Sequence, residues 1–371
     1  MASPLHISQT PSNWSPLSEQ GTVGVSANAV SSDAKVAALL ELAEELRRRS
    51  YEWVCPSLET EALVNGRFVN RYAHNLSDLF GWNRVASLDT VGRLLPAGLV
   101  QELEEVGVLQ IIDGDSVRSR VRFSSFANTL IAQTAWPSRR DPAVAGPEMH
   151  RFGAFVEREL NHPELRMLTS SRHLTLAGLS GGICAAAILA ARTLTAIAPA
   201  CATRVVFVDS DQRALRFAEV NARIAELPAF ECISSDGLAA VSEPAMLVLA
   251  NPLATSVSQH GAPEEDDVFG SCVALRMLDE CLAHLPPGGA MLMCALAPVV
   301  RGTDMLRRSL DAHVTRAHAP QPAVLRYQVL ETDAFGPALS HPSYGAVERL
   351  MQVGISIQMR ITDTDKAPAN R

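Results

Sequence analysis

Residues 173–194 read HLTLAGLSGGICAAAILAARTL. The first seven residues are an apolar run of strand length, and the last ten are rich in alanine and leucine, as in a helix. Gly178, Ser180 and Gly182 alternate in the turn between them. Residues this small let a backbone approach a ligand at the positive N-terminal end of the following helix. The turn is a weak signal by itself, because glycine is common between a strand and a helix.

The same strand–turn–helix pattern repeats along the rest of the chain. Strand-like runs at 204–211, 229–237, 245–252 and 288–296 are separated by helix-like segments at 212–227 and 271–285. Two further strand-like runs, 324–335 and 349–362, can pair antiparallel. Alternation of this kind predicts an α/β fold with a mostly parallel Rossmann-like sheet and helices on both faces. Ligands of such sheets bind beyond the carboxyl ends of the strands.

Polar residues stand where three of these strands end. Asp209 ends the strand VVFVD, where it can accept two hydrogen bonds from a ribose diol or cap the next helix. Asp236, in SSDG, can accept the exocyclic amine of an adenine or form an Asp-Gly turn. Asn251 and Pro252 end the run AMLVLA. Each signal is weak alone, but together they form an ordered series.

That order resembles the class I S-adenosylmethionine-dependent methyltransferases, and among them the branch with an Asn-Pro-Pro-aromatic motif that modifies amide or amino nitrogens. The resemblance covers residues 172–360 and includes LPPGGAMLM before the fifth strand. It implies S-adenosylmethionine as methyl donor or substrate. It also implies these roles: the methionine part beside Gly178, Ser180 and Gly182, the ribose at Asp209, the adenine at Asp236, and the reacting centre at Asn251 and Pro252.

The motif departs from the family at Leu253 and Ala254, which replace the second proline and the aromatic residue. In the nitrogen methyltransferases that aromatic stacks on a flat acceptor, so a flat adenine or amide is not the expected acceptor here. The resemblance favours a methyltransferase of secondary metabolism that acts on a small molecule. The alternative is intramolecular cyclisation of S-adenosylmethionine to azetidine-2-carboxylate, a natural-product reaction that releases methylthioadenosine. An NAD-dependent oxidoreductase is less favoured because the G-x-G-x-x-G motif is absent.

The residues ahead of the sheet form a different kind of segment. Residues 1–33 are rich in Ser and Pro and predict a disordered tail, and 34–145 combine helices with a hairpin at Asp113-Gly114, as in a winged-helix-like domain. Arg118, Arg120 and Arg122 alternate along one strand and are interpreted as a solvated face. We therefore predict a lid or dimerisation domain, and a homodimer, ahead of a cofactor-binding domain at 146–371.

Four residues are candidate substrate contacts. His150 and Phe152 belong to MHRFGAFVEREL, a segment predicted to cover the cofactor cleft. Leu253 follows the Asn-Pro pair, and Tyr344 interrupts the final strand pair.

Composition narrows the classes of partner. The net charge of −8 over 371 residues argues against nucleic-acid binding, which needs a basic face. Seven scattered cysteines without a C-x-x-C pair indicate reduced thiols in a cytoplasmic protein and no metal site. The apolar stretch 174–202 contains Arg192, so no membrane span or membrane partner is expected.

Overall fold

The computed structural model describes residues 25–135, 146–179, 184–252, 271–316, 322–334, 336–340 and 342–361. The helices are α1 (Val25–Arg48), α2 (Leu58–Asn65), α3 (Leu76–Phe80), α4 (Leu88–Leu94), α5 (Ala97–Glu105), α6 (Pro147–Leu160), α7 (Pro163–Arg166), α8 (Ala185–Ile197), α9 (Gln212–Ile224), α10 (Ser271–His284) and α11 (Met305–Arg316). The strands are β1 (Ala86–Ser87), β2 (Leu109–Asp113), β3 (Ser116–Ser119), β4 (Val121–Phe126), β5 (Thr129–Thr134), β6 (His173–Leu179), β7 (Ala202–Asp209), β8 (Phe230–Ser234), β9 (Leu247–Ala250), β10 (Ala290–Val300), β11 (Thr303–Asp304), β12 (Pro322–Glu331) and β13 (Arg349–Met359).

The central sheet has the order β12-β13-β10-β9-β6-β7-β8, with β11 paired to β10. Strands β8, β7, β6, β9 and β10 are parallel, whereas β13 is antiparallel to both of its neighbours. The prediction of an α/β, mostly parallel sheet with an antiparallel last strand is therefore confirmed.

Both faces of this sheet are buried. Along β10, Leu292 and Cys294 pack with α6, α8 and α9 on one face, while Met291 and Met293 pack with α10 and α11 on the other. Strands covered on both sides are apolar throughout rather than alternating. This explains why the sequence shows continuous runs such as AMLMCALA in this half of the chain.

Polar groups fix α6 to the antiparallel edge of the sheet. Arg326 of β12 pairs with Glu159 of α6 at 2.7 Å. The amide Nε2 of Gln352 donates to the carbonyl oxygen of Glu148 at 2.9 Å, and Arg151 Nη1 donates to Gln352 Oε1 at 3.2 Å. Helix α6 is thus a packed element of the domain.

The N-terminal residues form the predicted winged-helix-like module. Its small sheet has the order β1-β3-β2, in which β1 lies between α3 and α4 and the hairpin of β2 and β3 follows α5, in the manner of a winged helix. Leu99 and Leu103 of α5 lie in one buried cluster with Leu42 and Leu46 of α1. The helix that would enter a nucleic-acid groove in a helix-turn-helix protein is therefore packed against α1.

Two expectations about this module need correction. Helix α1 begins at Val25, so the predicted boundary between tail and module at residue 33 falls inside a helix. Of the three alternating arginines, only Arg120 is exposed. Arg122 is 3% exposed and pairs with Glu61, because the chain passes from β3 into the buried strand β4. Arg118 is half-buried.

The module contacts the outer side of α9. The side chain of Asn221 accepts a hydrogen bond from Ala132 N at 2.7 Å and donates one to Ala132 O at 3.0 Å. Val220 and Ile224 complete the buried cluster of the module. These contacts lie in the C-terminal half of α9, away from the carboxyl ends of the strands. Within the described part of the chain, no helix is long and apolar enough to cross a membrane.

Candidate functional site

The sheet has a topological switch point between β6 and β9. These strands are neighbours, but the chain leaves β6 towards β7 and leaves β9 towards β10 on the opposite side. Such connections open a crevice at the carboxyl ends of the two strands, which is where open α/β sheets bind ligands. The backbone N–H of Asn251 reaches the carbonyl oxygen of Leu179 at 3.4 Å across this point.

Asn251 therefore follows β9 directly at the crevice. Its side-chain Oδ1 is buried, and no donor among the described residues reaches it. A buried acceptor without a partner costs about 1–3 kcal/mol. An amide oxygen at a switch point can accept a hydrogen bond from a ligand.

Asp209 lies at the end of the neighbouring strand β7 and is 7% exposed. Its Oδ1 accepts a hydrogen bond from the backbone of Asp211 at 2.9 Å. The cap of α9 is Asp211 itself, which accepts from Arg213 N at 2.7 Å. The structure thus separates the two roles left open for Asp209: a different residue caps the helix, and the carboxylate of Asp209 is held inside the domain.

Asp236 lies in the loop after β8, and its side chain is exposed. The loop is tied to β7 because Ser235 N donates to the carbonyl oxygen of Asp209 at 3.1 Å. Glu280 of α10 accepts from Leu238 N in the same loop. Sequence reasoning did not identify Glu280, because it follows the loop by more than forty residues inside an ordinary amphipathic helix.

Gly178 lies near the end of β6 and faces α8. A Cβ atom at this position would lie 2.9 Å from the Cβ of Ala187, so the missing side chain allows α8 to pack closely on the sheet. Cys184 starts that helix with a φ of 54°, and burial raises the pKa of its thiol well above the ordinary value. Ser180, Gly182 and Leu253 lie outside the described residues, and their predicted roles stay predictions.

The other proposed substrate contacts are placed differently. Phe152 is 2% exposed and stacks on Phe155 in the core, so it does not line an open cleft. The physical reason is the helical period, which puts Phe152 on the apolar stripe of α6. His150 is half-buried, with its ring 5.3 Å from that of Phe126, and burial lowers its pKa. Tyr344 is half-buried in a short helical turn, Pro342–Tyr344.

A buried polar contact that the sequence did not reveal lies at the level of Asn251. Met293 pairs with Ala250 in the sheet, so Cys294 is next to the residue that opposes the end of β9. Gln352 donates to the sulfur of Cys294 at 3.1 Å. Burial raises the pKa of Cys294 to about 12, so this group is a neutral thiol.

No protein-family model and no curated protein sequence matches the chain. Three solved structures illustrate its structural similarities. The M. jannaschii tRNA m1G37 methyltransferase is 9% identical with a TM-score of 0.41, covering 66% of this chain and 58% of that enzyme. M. jannaschii TYW2 in complex with AdoMet is 11% identical with a TM-score of 0.40, covering 68% and 90% of the two chains. An rRNA methylase from Streptococcus thermophilus is 12% identical with a TM-score of 0.33, covering 59% and 100%.

This chain spans less than two thirds of the length of the tRNA m1G37 methyltransferase. The strand order itself defines a Rossmann-like sheet, as the resemblance to the class I S-adenosylmethionine-dependent methyltransferases predicts. The expectation that nucleic acid is no partner is contradicted, because a tRNA methyltransferase and an rRNA methylase are among the solved structures that this chain resembles.

Proposed function

We propose that this protein is an S-adenosylmethionine-dependent methyltransferase in which Asn251 orients the acceptor. The observation that carries the proposal is the buried Oδ1 of Asn251, which lies at the switch point without a donor from the described residues. An amide oxygen in this position accepts a hydrogen bond from an N–H group and fixes the direction of the nitrogen lone pair.

The polar residues around the crevice fit the proposed cofactor. S-adenosylmethionine, when bound, supplies an electrophilic methyl group on a positively charged sulfur. Asp209 and Asp236, at the ends of adjacent strands, offer carboxylate acceptors for ribose hydroxyls and for an adenine amine. Acidic side chains at one edge of the sheet suit a cationic ligand. Gly178 lets α8 lie against β6, which brings the N-terminal end of that helix close to the same edge.

The chemistry required of Asn251 is modest. An amide is not a base, so Asn251 positions the acceptor nitrogen, and the proton is lost to solvent after the N–C bond forms and the C–S bond breaks. Positioning is enough for such a displacement, because alignment of nucleophile and leaving group supplies much of the barrier reduction. We expect Asn251→Ala to lower kcat about a hundredfold, the cost of a misplaced reactant.

A second candidate reaction uses the same oxygen. The sequence continues from Asn251-Pro252 with Leu253 and Ala254, neither of which offers a planar surface to a flat acceptor. If Asn251 holds the α-amine of S-adenosylmethionine itself, that amine can attack the γ carbon. The products are azetidine-2-carboxylate and methylthioadenosine, and no second substrate is required.

One experiment separates these reactions. The purified protein is incubated with S-adenosylmethionine alone, and then with nucleosides, total RNA or a set of small amines, and the products are identified by mass spectrometry. S-adenosylhomocysteine formed only with an acceptor supports methyl transfer. Methylthioadenosine with azetidine-2-carboxylate, formed without an acceptor, supports cyclisation.

The matched variants are Asn251→Ala and Asn161→Ala. Asn161 is an exposed residue at the end of α6, so its replacement controls for loss of an asparagine side chain. Absence of S-adenosylmethionine binding to the wild-type protein in calorimetry would refute both reactions. Equal activity of the two variants would refute the role of Asn251.

A further inference from the structure

A second site lies in the N-terminal module. A pocket of about 400 Å³ opens between the segment after α2 and the residues around β1 and β3. Its lining includes the arginines Arg67, Arg71, Arg84 and Arg118, with Asn83 in the wall and Phe68 at the rim. None of these residues belongs to the crevice at the switch point.

The pocket is basic although the protein as a whole is acidic. Arg84 is neutralised by Asp78, and its Nε donates to Asn65 Oδ1 at 3.0 Å. Arg67 and Arg71 are exposed, and no carboxylate in the described part of the chain pairs with either of them. Arg118 is half-buried beside them. The local excess of positive charge suits an anion, and guanidinium groups match the geometry of phosphate oxygens.

The walls of the pocket are held by hydrogen bonds. Asn65 Nδ2 donates to Trp82 O at 3.0 Å, and Asn70 Nδ2 donates to Val64 O at 2.7 Å. Asn83 has a φ of 55° and is 7% exposed, and its Nδ2 donates to Ala135 O at 3.1 Å. Its Oδ1 is buried and has no donor among the described residues, so a hydroxyl or amino group can donate to it.

An unusually exposed apolar surface borders the pocket. Phe68 is 86% exposed and Val69 is 75% exposed, and the short helical turn they belong to buries no residue. Adjacent apolar side chains on a surface mark a binding site more often than scattered ones do. A phenyl ring beside a basic groove is a platform on which nucleic-acid bases stack.

We propose that this pocket binds a nucleotide unit, with the phosphate on Arg67 and Arg71 and the base on Phe68. Asn83 accepts a hydrogen bond from a hydroxyl or amino group of the same unit. An acidic peptide would use the arginines but would leave the ring of Phe68 exposed, which is why a nucleotide fits better. The unit belongs either to a single RNA strand or to a free mononucleotide.

The test measures binding without S-adenosylmethionine, so its result is independent of the reaction at Asn251. Fluorescence anisotropy is followed with a labelled single-stranded RNA of about 12 nucleotides, the length that single-strand sites accommodate. Each measurement is repeated over a range of salt, and unlabelled AMP and a poly-glutamate peptide serve as competitors. Arg67→Ala/Arg71→Ala is compared with Arg93→Ala/Arg120→Ala, which removes two arginines of the same module outside this pocket.

The arginine pair has a quantitative signature. Each phosphate contact on a single strand contributes about 0.7 to the slope of log K against log salt, so the pocket variant should lose about 1.4 from that slope. The control pair should retain the slope of the wild-type protein. Competition by AMP with weak RNA binding would support the site and identify a free nucleotide as the source.

A second comparison tests the platform. Phe68→Ala should weaken RNA binding about fivefold to 150-fold, the range that follows from the loss of one base–aromatic stack. Leu63→Ala removes another exposed apolar side chain (73% exposed) that does not line the pocket, so this variant should bind as wild type. Both positions are on the surface, so both variants should fold. The proposal is refuted if neither RNA nor AMP binds at about 50 mM salt, if the two arginine pairs behave alike, or if only the peptide competes.

Discussion

The side chain of Asn221 should hold the N-terminal module to the sheet domain, and its removal should be costly. Strand β5 is paired with β4 on one side only, and Ala132 lies opposite Phe123 in that pair. Both backbone groups of Ala132 turn outward, where the fully buried amide of Asn221 accepts from one at 2.7 Å and donates to the other at 3.0 Å. The side-chain amide of Asn221 therefore makes the two hydrogen bonds that the backbone of a neighbouring strand would make.

Replacement by alanine leaves the N–H and the C=O of Ala132 buried without these partners. Each unsatisfied buried group costs about 1–3 kcal/mol, so Asn221→Ala should lower the free energy of unfolding by about 2–5 kcal/mol. Domains are typically stable by about 5–15 kcal/mol, so this loss is a large fraction of the total. Asn221→Asp should also be destabilising, because it places an oxygen against the carbonyl of Ala132.

Urea unfolding at 25 °C, followed by circular dichroism and tryptophan fluorescence, measures the effect. Trp53 and Trp82 lie in the module, so separation of the two transitions would show that the module detaches before the sheet unfolds. Asn161→Ala, on the surface, should change the free energy of unfolding by less than about 0.5 kcal/mol. A loss of less than about 0.5 kcal/mol for Asn221→Ala would show that the backbone of Ala132 finds other partners, and the reasoning would fail.

Three further outcomes follow from the same structure. Gly178→Ala should lower the free energy of unfolding by about 1–3 kcal/mol, because the new methyl group meets α8. At Gly98 a new methyl group meets no atom within 4 Å, so Gly98→Ala should raise the free energy of unfolding by about 0.4–1 kcal/mol. Calorimetry of the two variants measures both changes. Burial raises the pKa of Cys294 to about 12, so a thiol reagent at pH 8 should modify this residue no faster than the protein unfolds. The exposed Cys232, with a pKa of about 11, should react faster with each increase in pH. Peptide mass spectrometry measures both rates, and faster modification of Cys294 than of Cys232 would contradict this expectation. Burial lowers the pKa of His150, so protonation favours the unfolded chain, and stability should be complete above pH 6.5 and fall below it. A His150→Gln variant should lose part of that pH dependence in urea titrations between pH 5 and 8, and an unchanged profile would contradict the assignment.

The sequence predicted the sheet well because its strands are buried on both faces. A strand such as β9 is a continuous apolar run, and the residue after it must be polar or turn-forming, so Asn251 and Asp209 are visible as interruptions. The same reasoning could not assign a direction to side chains on amphipathic helices. Phe152 was expected at a cleft and lies in the core, because the sequence does not show which element covers α6.

Contacts between residues far apart in the chain were not predictable either. Arg122 was expected on a solvated face because its neighbours alternate, but its partner Glu61 is sixty-one residues away and was not linked to it by any motif. Asn221 was unremarkable in the middle of a helix until the structure placed Ala132 beside it. Buried polar pairs of this type depend on tertiary packing, which local propensity does not encode.

The error about nucleic acid has a different origin, because the net charge of the whole chain was used to judge the charge of a local surface. A net charge of −8 describes the average field, which governs solubility, whereas a bound phosphate experiences charges within about 8–10 Å at physiological salt. In the module pocket, no described carboxylate pairs with Arg67 or Arg71, whereas Arg84 pairs with Asp78. The acidic residues of the crevice are not part of this pocket. One chain can therefore present an acidic crevice for a sulfonium and a basic pocket for a phosphate, and the sum of the two charges predicts neither.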